Sequence, residues 1–498
     1  MLHIRRDPRK TASTEFDVII IGGGIYGITL ALEAGRRGKK SLLLEKGDFG
    51  EYTSFNSLKI IHGGLRYLQS LDLHRFRESV KERSWFLRHF PDQVTPMPCL
   101  MPLYGKGMKR PTIFRLALLI NHLLAPDRNK DLRKDHLLPM GGIVSASESQ
   151  KLFPLVEMEG LQGSALWYDA QMPDSQLLVM QLLKSACDIG TTPLNYCQVE
   201  SILTSNGTVN GVIARDRETG ETHTFHASTI INSAGPWAGQ LIKGLGGDAE
   251  TIYRPSLAWN VLFNRPSLSS HALAVQAKRQ GSRALFVTPW KGKIFAGCGH
   301  EPWFNKPDRP MPSKAQLLHF IDEMNEAIPG INLGLDDVGR VFCGLLPTIE
   351  SGSNILTKRE VLINHQQAGG PQGLFSIGGI KFTTARLVAE KIWGLIEKNG
   401  TGISSPRPLP ISHKTDNSTP DNSFDTIQTF IQQDETIVHL DDLVLRRSTL
   451  WEEGEKLDLQ NLAELFLNWD ESRRMQEVER CLLRINRLQL DENSTAAV

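Results

Sequence analysis

The segment SLKIIHGGLRYLQ (57–69) combines Lys59, His62 and Arg66 with the adjacent glycines Gly63 and Gly64. It is too charged for a buried strand and too rich in glycine for the middle of a helix. Glycine leaves the backbone open to close approach, and histidine ionises near neutral pH. The segment is therefore expected to be a loop, in which an open backbone lies beside several polar side chains.

A second chemical signal is the pattern G-x-G-x-x-G, formed by Gly22, Gly24 and Gly27. The apolar run Val18–Ile21 predicts a strand before this turn, and the apolar spacing after it predicts a helix. Such a turn lets the backbone approach a pyrophosphate at the positive end of the helix. Glu45 ends the next strand, where an acid binds an unphosphorylated ribose, so FAD or NAD is predicted rather than NADP.

The spacing of later glycine turns favours FAD over NAD. The segments INSAGPWAG (231–239) and GGIKFTTA (378–385) lie far from the first turn and far from each other. An NAD-binding domain usually continues in one piece, whereas dispersed turns suit one extended cofactor that crosses several strand ends.

The remaining elements predict an α/β protein with three parts. Helices are expected at 70–90 and 174–189, and the strand-rich pattern at 251–300 predicts an antiparallel sheet in a second domain. We expect a Rossmann-type FAD-binding domain, an antiparallel-sheet substrate domain and a small C-terminal helical domain. The expected ranges are 16–95, 146–240 and 340–400 for the first, 96–145 and 241–339 for the second, 401–425 for a linker and 426–490 for the third.

Composition limits the classes of partner and compartment. The 498 residues carry a net charge of +1, which gives no reason to expect nucleic acid, and the six cysteines have no ligand-like spacing, so no metal is expected. Scattered cysteines and the lack of a signal peptide predict a cytoplasmic protein. The basic and apolar stretch 106–125 is either an interfacial contact with the inner membrane or a helix packed on its own protein.

Four motifs occur in an order that resembles the FAD-dependent glycerol-3-phosphate dehydrogenases, within the D-amino-acid-oxidase-like flavoprotein superfamily. They are GGGIYG, SLKIIHGGLRYL, INSAGPWAG and GGIKFTTAR, and the resemblance extends from Phe16 to about Lys398. The segment ETIVHLDDLVLRRSTL (435–450) also looks like the start of that family's helical C-terminal domain.

The resemblance implies FAD and a set of cofactor residues. It places Gly63 and Gly64 against the flavin ring, lets Lys381 stabilise the reduced flavin, and pairs the Val199 backbone with adenine. The full implied set is Gly22, Gly24, Gly27, Glu45, Lys46, Thr53, Ser57, Lys59, Gly63, Gly64, Val199, Ala234, Gly235, Gly379, Lys381 and Phe382.

The substrate half departs from the family pattern. Leu346 stands where the family has a phosphate-binding arginine, and Cys298, Gly299 and His300 replace a Thr-Thr-Asp run. Asn260 replaces a histidine, and Ala385 replaces a tyrosine. An alternative clamp for a phosphate would have to come from other cations, for which the candidates are Arg254, Arg386, Arg66 and Lys59.

Three functions stay open at this point. The first is oxidation of glycerol 3-phosphate or a close analogue, with a membrane quinone or oxygen as electron acceptor. The second is oxidation of a different hydroxy acid or amine, for example in specialised metabolism, and the third is a flavin-binding protein without turnover. The catalytic candidates are His62, His300, Lys381, Arg66 and Arg254, although each histidine could equally be structural. The C-terminal helices offer a homodimer contact.

Overall fold

The computed structural model describes residues 4–105, 107, 110–245, 252–279, 281–399, 405–409, 423–452 and 457–486. Most of the predicted linker 401–425 lies outside these residues, as do parts of the basic stretch 106–110 and the end of the predicted C-terminal domain.

The strands include some in segments predicted from the sequence, among them Val18–Ile21 and Ser41–Leu44. In chain order they are β1 (Glu15–Phe16), β2 (Val18–Ile21), β3 (Ser41–Leu44), β4 (Ile60–Ile61), β5 (Thr95–Pro102), β6 (Gly142–Val144), β7 (Ser164–Gln171), β8 (Thr191–Leu194), β9 (Cys197–Ser205), β10 (Thr208–Asp216), β11 (Thr222–Ala227), β12 (Ile230–Asn232), β13 (Pro255–Pro266), β14 (Ala272–Gln276), β15 (Ala284–Trp290), β16 (Lys293–Pro302), β17 (Val338–Pro347), β18 (Val361–Asn364) and β19 (Leu374–Gly378).

The α-helices are α1 (Pro8–Ala12), α2 (Ile25–Arg36), α3 (Leu65–Gln69), α4 (Leu73–His89), α5 (Pro111–Leu124), α6 (Ala146–Leu152), α7 (Ser175–Asp188), α8 (Ala238–Leu241), α9 (Lys314–Ala327), α10 (Ala385–Asn399), α11 (Phe424–Gln433), α12 (Leu440–Asp442), α13 (Leu459–Glu464) and α14 (Glu471–Asn486). Shorter helical turns lie at Lys134–His136, Gly235–Trp237, Leu335–Asp337, His365–Ala368, Phe382–Thr384 and Leu443–Arg447.

The cofactor-type sheet has the order β18-β19-β12-β2-β3-β8. Its strands are parallel except for β18, which pairs antiparallel with β19. Helix α2 packs on this sheet and contacts the helices α7 and α10. The carboxyl ends of β2, β3, β12 and β19 meet at one edge, where ligands bind in open sheets of this class.

The second large sheet has the order β17-β13-β16-β15-β14-β5-β7-β4, with β6 beside β7. It is antiparallel apart from the β14–β5 pair. One face packs on α9, with Trp259, Phe263 and Phe320 in the buried core. The predicted α/β architecture with an antiparallel second sheet is therefore confirmed.

A third sheet, in the order β1-β11-β10-β9, was not separated from the others by the sequence. Strands β7 and β17 join the antiparallel sheet although they fall in segments expected to belong to the cofactor domain. The expected domain boundaries stay a prediction.

The C-terminal helices form a compact region, as predicted. Residues of α11 to α14 bury apolar side chains against an aromatic cluster that includes Phe55, Trp290, Phe342 and Trp451. The C-terminal region therefore packs against Phe55, in the segment that precedes the motif HGG.

Candidate functional site

The first glycine turn has the close contacts that its pattern predicts. Gly22 has φ +102°, and a Cβ there would lie 2.6 Å from the Ser233 carbonyl oxygen. A Cβ on Gly27 would lie 1.8 Å from the carbonyl oxygen of Gly22, so helix and strand touch. Above Gly24, the only atom that a Cβ would approach is Ser54 Oγ at 3.2 Å. The helix terminus is open at Gly24, as pyrophosphate binding requires.

Ser54, which the sequence did not single out, completes this terminus. Its Oγ accepts a hydrogen bond from the Ile25 amide at 2.9 Å, at the first residue of α2. A serine from a distant loop therefore caps the helix in place of a local residue.

Glu45 lies beside the same turn. Its carboxylate accepts hydrogen bonds from the Gly23 amide at 2.6 Å and from the Gly47 amide at 2.8 Å. Burial raises the pKa of Glu45 to about 6, although these two amide donors act to lower it. The carboxylate is held at the end of β3, beside the glycine turn, which fits the predicted ribose role.

Lys46 is held by aromatic rings. Its Nζ lies 3.4 Å from the ring centre of Trp237 and 5.2 Å from that of Tyr52, and it pairs with Asp308 at 3.4 Å. Burial lowers the pKa of Lys46, while Asp308 acts to raise it. The indole of Trp237 also donates to Asp308 at 3.1 Å, so the motif SAGPWAG and a loop after β16 close over this side of the site.

The other residues expected near the adenosine half also lie around this edge. Ala234 and Gly235 follow β12, and the Cα of Ala234 would lie 2.9 Å from a Cβ on Gly22. Val199 is in β9, the terminal strand in the order β1-β11-β10-β9. Its outer edge is therefore available for the predicted backbone pairing with adenine.

His62 is fixed by a buried acid that the sequence analysis missed. Its Nδ1 lies 3.2 Å from Asp169 Oδ2, and Asp169 Oδ1 accepts from the Gly63 amide at 2.7 Å. Arg83 Nη1 lies 3.3 Å from the same oxygen. Burial acts to raise the pKa of Asp169, but the bonds from His62 and Gly63 and the charge of Arg83 outweigh it and lower the pKa.

The two glycines of HGG are explained by these contacts. A Cβ on Gly63 would lie 1.9 Å from Arg83 Nη1. Gly64 has φ +86° and begins α3, with Ser79 Cβ at 2.8 Å from a Cβ placed there. The packing of the protein itself therefore requires glycine at both positions. The contact with a flat ring, which the resemblance implies, stays a prediction.

Several buried oxygen atoms of polar side chains have no hydrogen-bond partner among the described residues. They include Asn56 Oδ1, Ser57 Oγ and Asn260 Oδ1. Thr53 differs, because its Oγ1 contacts the backbone of Leu345 at 3.2–3.3 Å. Unpaired buried oxygens are costly without a ligand, so this row fits a polar cofactor edge.

Lys59 is enclosed by the protein. Its Nζ donates to Ser175 Oγ at 2.7 Å and to the Phe55 carbonyl, and it lies 4.6 Å from the Phe55 ring centre. The residue is 0% exposed, and burial lowers its pKa to about 7. It is therefore not the free cation that an alternative phosphate clamp needs, and its cofactor role stays a prediction.

Lys381 begins the turn after β19. Its backbone N–H donates to the Tyr26 hydroxyl, which donates to the Lys381 carbonyl at 2.9 Å. Burial lowers the pKa of Lys381 to about 8, and the nearby charge of Arg66 acts in the same direction. Gly379 allows this contact, since a Cβ would lie 2.0 Å from Tyr26 Cζ. Phe382 instead packs on Phe86, with ring centres 6.1 Å apart.

A cationic cleft opens beside Lys381. It runs between α4, the segment before β18 and the start of α10. Its charged lining residues are Arg75, Glu78, Lys358, Arg359, Glu360, Lys381 and Lys391. The cations outnumber the acids, so the cleft favours an anionic ligand.

His300 lies on the antiparallel sheet, away from the motif HGG in the sequence. The register places His300 and Gly344 opposite Ala258, and Leu346 opposite Ser256, so all of them share one face. The face is directed at the cofactor side, because a Cβ on Gly344 would lie 2.9 Å from Thr53 Cγ2.

The electrostatics of His300 differ from those of a general base. Its Nε2 contacts Ser256 Oγ at 2.8 Å. Burial lowers the pKa of His300 to about 4, and the charge of Arg283 contributes. His300 is therefore neutral at pH 7, and its contact with Ser256 marks it as a hydrogen-bonding residue of this face.

Two of the candidate clamp arginines have partners. Arg386 forms ion pairs with Glu82 and Glu390 and lies 5.0 Å from the Trp85 ring centre, so it is occupied. Arg254 donates to the Ile349 carbonyl at 2.8 Å, at the start of β13. Arg66 is exposed on α3, close enough to Lys381 to affect its pKa.

Fold and site together define a flavoprotein oxidoreductase, and the comparisons agree. The family model described as FAD dependent oxidoreductase (DAO) matches residues 17–392, and the chain belongs to this family. It is an enzyme that uses FAD and acts on a small molecule, and the glycine turn, Glu45 and the unpaired oxygens fit that cofactor.

Two named relatives show which members of this family the chain is similar to. The chain is 29% identical over 417 residues to a glycerol-3-phosphate dehydrogenase of Synechocystis, covering 80% of this chain and 74% of that protein. It is 30% identical over 402 residues to an aerobic glycerol-3-phosphate dehydrogenase of Staphylococcus epidermidis, covering 80% and 69%.

Solved structures agree on the fold. The glycerol-3-phosphate dehydrogenase of Bacillus halodurans, complexed with FAD, has a TM-score of 0.70 at 19% identity and covers 97% of this chain and 98% of its own. The FAD-bound L-alpha-glycerophosphate oxidase of Mycoplasma pneumoniae has a TM-score of 0.57 at 18% identity, covering 80% and 99%.

Proposed function

We propose that the protein oxidises the secondary hydroxyl of glycerol 3-phosphate or a close analogue to the ketone. The observation that carries this proposal is the pair of His62 and Asp169, with Nδ1 and Oδ2 3.2 Å apart. The carboxylate holds the proton on Nδ1, which makes Nε2 the acceptor for a hydroxyl proton. The names of the relatives support the substrate.

Each residue of the HGG region has a distinct role in this reaction. His62 removes the hydroxyl proton, Asp169 stabilises the imidazolium that results, and Arg83 holds the carboxylate of Asp169 in place. Bound FAD would supply the acceptor for the hydride that leaves the substrate carbon. Lys381 supplies a cation at the turn after β19, where the resemblance implies the pyrimidine end of the ring.

The anionic group of the substrate is assigned to the cationic cleft. Lys381 and Arg359 line it, and Arg66 follows the HGG motif within α3. A phosphate gains charge-assisted hydrogen bonds from such cations, which offsets the leucine at 346.

Leu346 favours one second candidate, a flavin-dependent oxidation of a different hydroxy acid or amine. It is half-buried on the sheet face that carries Ser256 and His300, where the resemblance implies an arginine. A neutral sheet face suits a substrate that carries no charged group at the end away from the oxidised carbon.

We further propose an electron acceptor in a membrane, reached through α5. Among the described residues, no helix is long and apolar enough to cross a membrane. However, α5 buries Phe114 and Leu118 and exposes an apolar row of Leu116, Leu119, Ile120 and Leu123. An exposed amphipathic helix of this kind suits an interfacial contact, which supports our proposal of a cytoplasmic protein at the inner membrane that reduces a quinone. Oxygen as acceptor and a homodimer stay predictions.

The deciding experiment is an anaerobic visible spectrum of the yellow protein. We expect glycerol 3-phosphate to bleach the flavin and glycerol, which lacks the phosphate, to bleach it far more slowly. A flavin that dithionite bleaches but glycerol 3-phosphate does not would overturn the substrate assignment. Bleaching by an uncharged hydroxy compound or an amine would then support the second candidate.

A further inference from the structure

The short turn at 47–51 connects Glu45 to the glycine turn. The Gly47 amide donates to Glu45 at 2.8 Å, and the Gly50 amide donates to the Gly23 carbonyl at 2.9 Å. The Gly23 amide in turn donates to Glu45 at 2.6 Å. A displacement of this turn would therefore move both the carboxylate and the glycine backbone.

Two arginines of the C-terminal region hold the turn from its other side. Arg447 Nη2 donates to Asp48 Oδ1 at 2.8 Å, and its Nη1 binds the second oxygen, which makes the pair bidentate. Arg484, on α14, forms an ion pair with Glu51. The side chains of Arg447 and Asp48 are 0% and 3% exposed, so this contact is shielded from water.

The guanidinium of Arg447 is also anchored within its own region. Its Nη2 donates to Thr436 Oγ1 at 3.1 Å, and its Nε lies 3.7 Å from Asp434 Oδ2. Asn195 adds a second link, since its Nδ2 donates both to Asp48 at 3.0 Å and to the Thr436 carbonyl at 2.7 Å. The turn is thus fixed relative to the C-terminal region by a continuous buried network.

We propose that Arg447 and Arg484 are positioning residues for the adenosine ribose of FAD. They hold the turn 47–51, the turn holds the Glu45 carboxylate, and that carboxylate accepts the ribose hydroxyl. The C-terminal helical region therefore completes the dinucleotide site by holding the turn that carries Glu45. Neither the family model, which ends at residue 392, nor the four motifs include these arginines.

A merely structural role for the arginines makes a different prediction. Docking of the C-terminal region alone would change stability, or would weaken every flavin ligand equally. Positioning of Glu45 would act on one hydroxyl group. The distinguishing quantity is the preference of the protein for FAD over FAD whose adenosine 2′-hydroxyl is replaced by hydrogen.

The test uses Arg484→Gln, because Arg484 is partly exposed and less costly to replace than Arg447. Flavin is removed from the full-length protein, and each ligand is titrated by flavin fluorescence. We expect the wild type to prefer FAD by about tenfold, the effect of one hydrogen bond to a charged acceptor, and R484Q to lose most of that preference.

Arg473→Gln is the matched control on the same helix. Arg473 donates to the Val438 carbonyl at 3.2 Å and lies 3.7 Å from Glu477, both within the C-terminal region. R473Q should keep the wild-type preference. Glu51→Gln removes the same ion pair from the other side and should repeat the R484Q result, which covers the case that R484Q does not fold.

An unchanged preference in a folded R484Q or E51Q variant overturns the proposal, whether or not overall flavin affinity falls. The titration uses no substrate, so its result is independent of the proposed oxidation of glycerol 3-phosphate.

Discussion

Gly24 and Gly27 look equivalent in the sequence, yet their surroundings differ. A Cβ on Gly24 would approach only Ser54 Oγ, at 3.2 Å, whereas one on Gly27 would lie 1.8 Å from a backbone oxygen. We therefore expect Gly24→Ala to fold but to bind FAD at least tenfold more weakly, because its methyl group enters the pyrophosphate space. Gly27→Ala should lower the melting temperature. Calorimetry and flavin titration of both variants check this, and a G24A protein with wild-type affinity would contradict the assigned pyrophosphate path.

His62 is expected to act through proton transfer. His62→Asn should slow flavin reduction by substrate by a factor of about 10²–10⁴ and leave the flavin spectrum unchanged. Stopped-flow reduction under anaerobic conditions measures the rate. His226→Asn is the control, because His226 is exposed on β11 and its Nδ1 contacts the Asn210 carbonyl oxygen at 3.2 Å, far along the chain from the motif HGG. Equal rates for H62N and wild type would remove His62 from the mechanism.

Lys381 gives a prediction about pH. Since burial lowers its pKa to about 8, the ammonium is charged below pH 8 and loses its charge as the pH rises through that value. The KM for an anionic substrate should therefore rise above pH 8 in the wild type. In Lys381→Arg, whose guanidinium stays charged, it should remain level. Steady-state kinetics from pH 6.5 to 9.5 measure KM for both proteins. If the two profiles of KM against pH run parallel, a group other than Lys381 causes the rise in KM.

Sequence reasoning found the residues that lie within one motif and missed those that reach it from elsewhere. His62 and Gly63 were identified, but Asp169, which binds both, comes from β7, more than a hundred positions along the chain. An acid in a strand is a weak signal by itself. Only the antiparallel pairing of β4 with β7 brings it to the motif.

At the scale of elements, local periodicity predicted the longer helices and several strands, while sheet membership followed from long-range pairing. The strand–turn–helix unit at 18–44 and helix α7 match their predictions closely. Strand β17 does not follow from its local sequence, because its partner β13 lies about eighty residues earlier. That pairing places Leu346 next to Ser256 and so determines the polarity of the substrate face.

Helix α5 gives the prediction at this scale. Leu119 and Leu123 are 50% and 65% exposed on its outer side, so burial in a lipid surface would be favourable. Leu119→Glu should reduce co-sedimentation with anionic phospholipid vesicles by tenfold or more. The substitution puts a charge in place of an apolar side chain that would be buried in the lipid surface. Leu482→Glu, at a leucine of α14 that is 47% exposed, is the matched control and should bind as the wild type does. Equal loss in both variants would argue against a specific α5 contact.

At the scale of the whole molecule, the parts are joined by buried charged side chains whose partners are distant in the sequence. The C-terminal helices were predicted from composition and periodicity, but their contacts with the cofactor half depend on single side chains such as Arg447 and His439. Charged residues at helical spacing usually indicate a solvated face. Their burial here follows from partners that are distant in the sequence, so it could be recognised only in the folded chain.

His439 makes the contact between the C-terminal region and the cofactor half dependent on pH. Its ring contacts Glu477 at 2.8 Å within the C-terminal region and Glu218 at 3.0 Å in the turn after β10. Burial acts to lower the pKa of His439, but these two carboxylates outweigh it and raise the pKa to about 9, from 6.5 in an unfolded chain. A raised pKa stabilises the fold fully below pH 6.5, and the contribution is lost as the pH rises to about 9.

The free energy of unfolding of the wild type, measured relative to that of His439→Gln, should therefore fall by about 3 kcal/mol at most between these two pH values. His439→Gln removes the ionisable ring and should be less stable than the wild type at pH 6 and equally stable near pH 9, while other groups that titrate in this range, such as Lys59 with its pKa of about 7, cancel from the difference. Urea unfolding followed by tryptophan fluorescence at several pH values gives both curves, and His226→Asn should follow the wild type. If the H439Q curve ran parallel to that of the wild type, the alkaline loss would come from another group, and His439 would be a hydrogen-bonded residue without a role in this pH dependence. If the wild-type and H439Q curves instead converge towards pH 9, the loss of stability at alkaline pH comes from the His439 imidazolium, at the contact between the C-terminal region and the cofactor half.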